Sequence, residues 1–186
     1  MISRGNENRV LVRINYSKDT VDKILKYIII LVDTREQKIQ HILDWFDEKE
    51  IKYRIETLPY CDYALAITPN DILKNQNELY LNHLFTIERK ASLEELSGNF
   101  TKGRKRIEAE FERAKGKIFL MIENAIFDDI INHNYKTKFK PNSYIATLKT
   151  FEARYGISTN FVQDEDKVGE FIYKTLIYQA REYLLK

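Results

Sequence analysis

Hydrophobic periodicity switches repeatedly between strand and helix spacing along the chain. Arg9 to Ile14 alternates as a strand, and Asp19 to Tyr27 places Val21, Ile24, Leu25 and Ile28 on one helical face. Ile28 to Asp33 is a continuous apolar run ending in an acid, the pattern of a central strand covered on both sides. A helix follows over Gln37 to Lys49, with Ile39, Ile42, Leu43 and Phe46 in register, and then strands over Ile51 to Thr57 and Asp62 to Ile67. Pro69 to Glu78 is polar and reads as a loop or hairpin tip. Leu84 to Lys90 and Ile118 to Glu123 are further strands, and Ile157 to Val162 is a late one. Between them Ser92-Leu93-Glu94-Glu95 is a capping-box start for a helix, Arg104 to Lys115 is helical, and Asn142 or Ser143 caps a helix to about Arg154. A last helix runs from about Glu165 to Leu184. Strands alternating with helices predict an α/β fold, a central mixed β-sheet flanked by helices.

The strand over Leu84 to Lys90 carries the most chemistry. Alternation puts Glu88 and Lys90 on one face and Phe85, Ile87 and Arg89 on the other, so a carboxylate and an ammonium share a surface. Asp33 and Asp62 also stand at the ends of β-like runs. Three carboxylates so placed suit a hard divalent cation, which prefers oxygen ligands and retains waters for hydrolysis of a phosphodiester.

Charge changes the picture only through its distribution. A net charge of +2 identifies no partner, but Lys102, Arg104, Lys105, Arg106, Arg113, Lys115 and Lys117 crowd the stretch after this strand. In Tyr135-Lys136-Thr137-Lys138-Phe139-Lys140 cations alternate with aromatics, as if to contact phosphates and stack on bases. A solvated helix face and a lysine-rich loop are the plainer reading of either cluster alone.

Three motifs in this order, Val32-Asp33-Thr34-Arg35-Glu36, Cys61-Asp62-Tyr63 and Glu88-Arg89-Lys90, resemble the nuclease domain of the XPF (ERCC4-domain) family of structure-specific endonucleases. The following Leu93, Leu96, Ser97, Gly103-Arg104, Glu108, Phe111 and Arg113 are also similar to that family's helical stretch. The chain departs from the pattern at Cys61, where the family usually has Gly, and at Glu94, where it usually has Asp. Cys is accepted at such a position if the local φ is negative, and Glu94 keeps the charge. The resemblance implies a restriction-endonuclease-like fold over residues 28–186, preceded by a strand-helix extension over residues 1–27 packed on the same globular unit. It also implies dimerisation, with the last helix and its Tyr173, Tyr178 and Tyr183 as the candidate interface of a homodimer.

On that resemblance Asp33, Asp62 and Glu88 hold one or two Mg²⁺ ions, with Mn²⁺ able to substitute, and Asp62 bridging. Lys90 orients or helps deprotonate the attacking water, or stabilises the charge of the pentacovalent state; the sequence leaves these roles open. From strand-face placement, independently of the resemblance, Arg35 is expected to hold a neighbouring phosphate, and from their clustering Lys102, Arg104, Lys105, Lys136 and Lys138 are expected to contact the DNA backbone. Glu36, Arg89 and Glu94 are supporting residues, Arg89 from the opposite face.

Composition sets outer limits. No apolar run reaches the roughly 18 residues of a membrane span, and no signal-like apolar region follows the polar start, so a cytoplasmic location is expected. The Lys, Ile, Asn and Tyr richness fits a low-GC bacterium or its phage. A single cysteine excludes an intrachain disulfide and a cysteine-rich zinc site, and His41, His83 and His133 lack metal-ligand spacing. The expected function is a Mg²⁺-dependent endonuclease acting on branched DNA, whether flap, fork or Holliday junction, in repair or recombination. The alternatives are a non-catalytic DNA-binding partner subunit and a restriction or repair nuclease acting on other DNA.

Overall fold

The apolar run Ile28–Asp33 forms β1, a buried interior strand one in from the β2 edge of a seven-stranded sheet. β1 pairs in parallel with β2 (Tyr53–Glu56) and antiparallel with β3 (Tyr63–Ile67). β3 also pairs antiparallel with the two-residue β4 (Leu79–Tyr80) and with β5 (Phe85–Lys90). β6 (Lys117–Glu123) and β7 (Ser158–Val162) continue in parallel beyond β5, giving the order β2-β1-β3-β5-β6-β7. This is the mixed sheet expected from the periodicity. The computed structural model describes residues 15–186, and the strand expected over Arg9 to Ile14 lies outside the described residues.

Pleating sorts the side chains into two cores. Phe85 and Ile87 of β5 and Phe119 and Met121 of β6 face α1 (Lys18–Ile24), α2 (Gln40–Glu48) and α7 (Val168–Leu185). Ile118, Leu120 and Ile122 face the other way, against α3 (Leu93–Phe100), α4 (Arg104–Arg113), α5 (Phe127–Ile131) and α6 (Pro141–Tyr155). On that side Phe100 and Phe111 meet the Phe151 ring edge-on, at centroid distances of 5.0 and 6.1 Å. α1 buries Val21 and Ile24 completely, and Arg181 of α7 pairs with Asp22.

Several boundaries move for identifiable reasons. α2 begins at Gln40, not Gln37, because Lys38 has φ +55°, which no α-helix admits. α6 is capped at Lys140 and not at Asn142 or Ser143, because Pro141 brings its own helical φ to the first position. It ends at Gly156 in the left-handed region, φ +65°. α5 and β4 are too short to show a period in the sequence.

One backbone contact secures the entry to β6. A Cβ on Gly116 would stand 2.3 Å from the Leu84 carbonyl carbon, while the Lys117 amide donates to the Leu84 oxygen at 2.9 Å. Gly116→Ala is therefore expected to destabilise the fold by about 1–3 kcal/mol through overpacking. An unchanged urea midpoint would show that the two segments can separate freely.

Candidate active site

The three motif segments converge because β3 runs against its neighbours. Its first residues lie level with the last residues of β1 and β5, and the backbone is stitched across: the Asp33 amide donates to the Asp62 carbonyl at 2.8 Å, and the Asp62 amide to the Ile87 carbonyl at 2.9 Å. Glu88 and Lys90 are both buried on the face that also carries Thr86, as alternation requires. Lys90 Nζ donates to Glu88 Oε1 at 2.5 Å and lies 3.6 Å from Glu95 Oε1. Burial pulls the ammonium's pKa down, but the charges of Glu88, Asp62 and Glu95 outweigh it and leave the pKa above its ordinary value. So paired, Lys90 is a cation and not a proton acceptor.

Glu88 Oε2 is buried without a hydrogen-bond partner. Burial raises the Glu88 pKa, Lys90 opposes this, and Glu110 adds to it. Asp62 is pushed well above the ordinary carboxylate range, by burial first and by the charge of Glu88 next. Its Oδ2 accepts the Arg89 amide at 2.7 Å. Cys61, just before it, has φ +56°, not a negative φ, so the turn is left-handed at this position although the residue is not glycine. The thiol is fully buried, and burial lifts its pKa well up, so it is an apolar filler and not a nucleophile.

Both carboxylate oxygens of Asp33 are engaged by hydrogen bonds. Its Oδ1 accepts Arg35 N and Nε, both at 2.7 Å, and its Oδ2 accepts Arg35 Nη2 at 3.0 Å and the Leu58 amide at 2.7 Å. Burial would raise its pKa, but these bonds prevail and hold it below the ordinary value. Arg35 is correspondingly occupied, although its side chain is 57% exposed and can be reached from solvent.

On the reverse face of β5, Arg89 is 4% exposed and sits between two carboxylates. It donates to Glu123 through Nε at 2.5 Å and Nη2 at 3.0 Å, and to Glu36 through Nη1 at 3.0 Å. Tyr63 OH also donates to Glu36, and His41 lies 3.5 Å from Glu123. Burial raises the Glu36 pKa against the pull of Arg89. Sequence reasoning missed Glu123, Glu95 and Glu110. Glu123 ends a buried strand as Asp33 does, and Glu95 is the last residue of the capping box, so both had a signal; Glu110 had none.

The basic clusters are only partly free. Lys102, Lys105, Lys136 and Lys138 are exposed. Arg104 is half-buried and engaged, its Nε bonding Glu108 at 3.1 Å and its guanidinium lying over the Phe151 ring. The aromatics expected to stack on bases are turned inward: Tyr135 is 8% exposed and packs with Phe139 on Tyr144. They build the loop's underside because an apolar ring beside a lysine gains more from the core than from water. Glu94 supports that loop, accepting the Lys136 amide at 2.9 Å.

Among the described residues no three His, Cys, Asp or Glu side chains gather closely enough to enclose a metal ion. Two adjacent carboxylates, Asp62 and Glu88, remain short of counter-charge, and Glu88 Oε2 is an orphaned acceptor. That oxygen-only pair fits a hard cation of the Mg²⁺ kind, which is often held by one or two carboxylates with water and substrate phosphate completing the shell.

Residues 32–175 match the family model described as the ERCC4 domain, and the chain belongs to that family. Its fold is similar to that of XPF from Aeropyrum pernix, at a TM-score of 0.57 and 18% identity over 83% of this chain. The same protein in a structure titled as its complex with DNA gives a TM-score of 0.58 and 17% identity, again over 83% of this chain. The matches span 64% and 66% of those two chains. No curated protein sequence matches.

The Asp33 bonds give a pH-dependent stability with a defined sign. A depressed folded pKa stabilises above the unfolded value, near 3.8, and that stability is lost as pH falls through the folded value. Asp33→Asn should cost about 1–3 kcal/mol at pH 7. In urea titrations the gap from wild type should close as the pH drops below about 4; a gap independent of pH would mean the carboxylate charge is immaterial.

Proposed function

We propose that this chain is a metal-dependent endonuclease that hydrolyses phosphodiester bonds in branched DNA. The observation that carries the reading is the buried Glu88–Lys90 pair with its unpartnered Glu88 oxygen beside Asp62, in a member of the ERCC4-domain family. Asp62 and Glu88 would hold Mg²⁺, or Mn²⁺ in its place. When bound, such an ion lowers the pKa of a water and offsets charge on the scissile phosphate. Lys90, kept charged by its carboxylate neighbours, would face the negative charge that grows on the phosphoryl oxygens, which favours the electrostatic role over that of a base. The site would thus combine an acidic cradle with a fixed cation.

Exposed Lys102, Lys105, Lys136 and Lys138 would contact the DNA backbone. The similarity to a structure of an XPF protein with DNA supports the choice of ligand. Arg35, accessible although paired, could exchange Asp33 for a phosphate. A homodimer would bring two such sites to one branched substrate, with α7 as the face to test; its Tyr178 is 59% exposed. A non-catalytic partner subunit would be expected to have lost its carboxylates, and Asp33, Asp62 and Glu88 are all retained.

The deciding experiment is a panel of flap, fork, four-way junction and linear duplex, with Mg²⁺ and with chelator. Cleavage of a branched substrate that chelator abolishes is expected, and Glu88→Gln should lower its single-turnover rate by about two to three orders of magnitude. DNA affinity should stay equal or rise, since a negative charge is removed. Full cleavage by Glu88→Gln would overturn the site.

Neutralising Lys136 and Lys138 together should weaken all branched substrates alike and reduce the salt slope of binding by roughly one unit per lost phosphate contact. The cut position should not move. Affinity measured against salt decides this, and an unaltered slope would mark the loop as mere solvated surface.

A further inference from the structure

We propose that Glu110 is a positioning residue for the active site, holding the Cys61 turn in the left-handed conformation that aims Asp62. This rests on the nuclease reading above and adds a residue from a helix outside the three motif segments.

The segment from Leu58 to Asp62 is pinned at both ends by groups of the sheet. The Leu58 amide donates to Asp33 Oδ2, the Asp62 amide donates to Ile87 O, and the Asp62 carbonyl accepts from the Asp33 amide. Between these pins stands Cys61, fully buried and at φ +56°, a conformation that an L side chain resists. Its amide points away from the strands and donates to Glu110 Oε1 at 3.1 Å, across to α4. Remove that acceptor and a buried N–H is left with no partner at the one residue of this turn with a left-handed φ. The turn then gains by relaxing toward negative φ, and Asp62, the next residue, swings with it. Glycine would need no such support, because it occupies the left-handed region without penalty. Glu110 therefore compensates for the side chain at position 61.

The sole cysteine makes the clamp directly measurable. In Glu110→Ala, a thiol reagent should label Cys61 under native conditions about tenfold faster or more, since local opening is eased by loss of the acceptor of the Cys61 amide. Single-turnover cleavage should fall about tenfold, a change of about 1.4 kcal/mol in the barrier, with the dissociation constant for branched DNA unchanged. Glu110→Gln keeps a carbonyl acceptor and should recover most of both losses. In a Cys61→Gly background, adding Glu110→Ala should alter the cleavage rate far less than it does in wild type, which a general structural defect would not produce. Wild-type labelling and cleavage in Glu110→Ala would overturn the proposal. So would a Gln variant as poor as Ala with weakened Mn²⁺ affinity, because the charge and not the acceptor would then matter. If the wild-type chain cuts nothing in the panel, the nuclease reading fails while the labelling rates still decide the clamp.

Discussion

One buried guanidinium ties the ends of three strands together. Arg89 reaches Glu36 just beyond β1 and Glu123 at the end of β6, while its own backbone amide holds Asp62 at the start of β3. Stripping an arginine of water is costly unless every charge is matched, and here two carboxylates and a bidentate geometry do the matching. Removing either acid would leave buried guanidinium N–H donors without an acceptor, so the cluster is held in one arrangement. That arrangement lies directly behind Glu88 and Lys90, on the opposite face of the same strand. The chemistry on one side of β5 thus rests on an ionic lock on the other.

The antiparallel placement of β3 supplies the second constraint. In an all-parallel sheet the acids of Asp62 and Glu88 would stand at opposite ends of their strands. With β3 reversed between β1 and β5, the start of one strand meets the finish of two others. Asp33 and Lys90, 57 positions apart in the chain, are thereby brought to one end of the sheet.

What the sequence disclosed follows from range. Strand alternation placed Glu88 and Lys90 together and Arg89 behind them, because a two-residue period is a local property. The apolar run Ile28–Asp33 revealed β1 to the residue for the same reason. Asp33 looked like a free carboxylate because nothing in its neighbours announces that Arg35 folds back onto it. The positive φ at Cys61 was hidden because the residue type argues against it. Glu110 was hidden because it acts across 49 positions of sequence, through a contact only tertiary packing creates. Tyr135 and Phe139 misled because alternation with lysine also describes a loop with a wet side and a dry side.

That loop divides two tasks between two sets of residues. Its shape is kept from below, by rings against Tyr144, by the Tyr135 hydroxyl on Phe139 O, by the Ser97–Thr137 hydroxyl pair and by Glu94. Its charge is displayed from above, on the side chains of Lys136 and Lys138, which are exposed. A polyanion meeting this surface finds a rigid frame already in place, so little ordering of the backbone is required on contact. Exchange of one lysine side chain for another therefore leaves the frame intact, so the charge of this surface is separable from the packing beneath it.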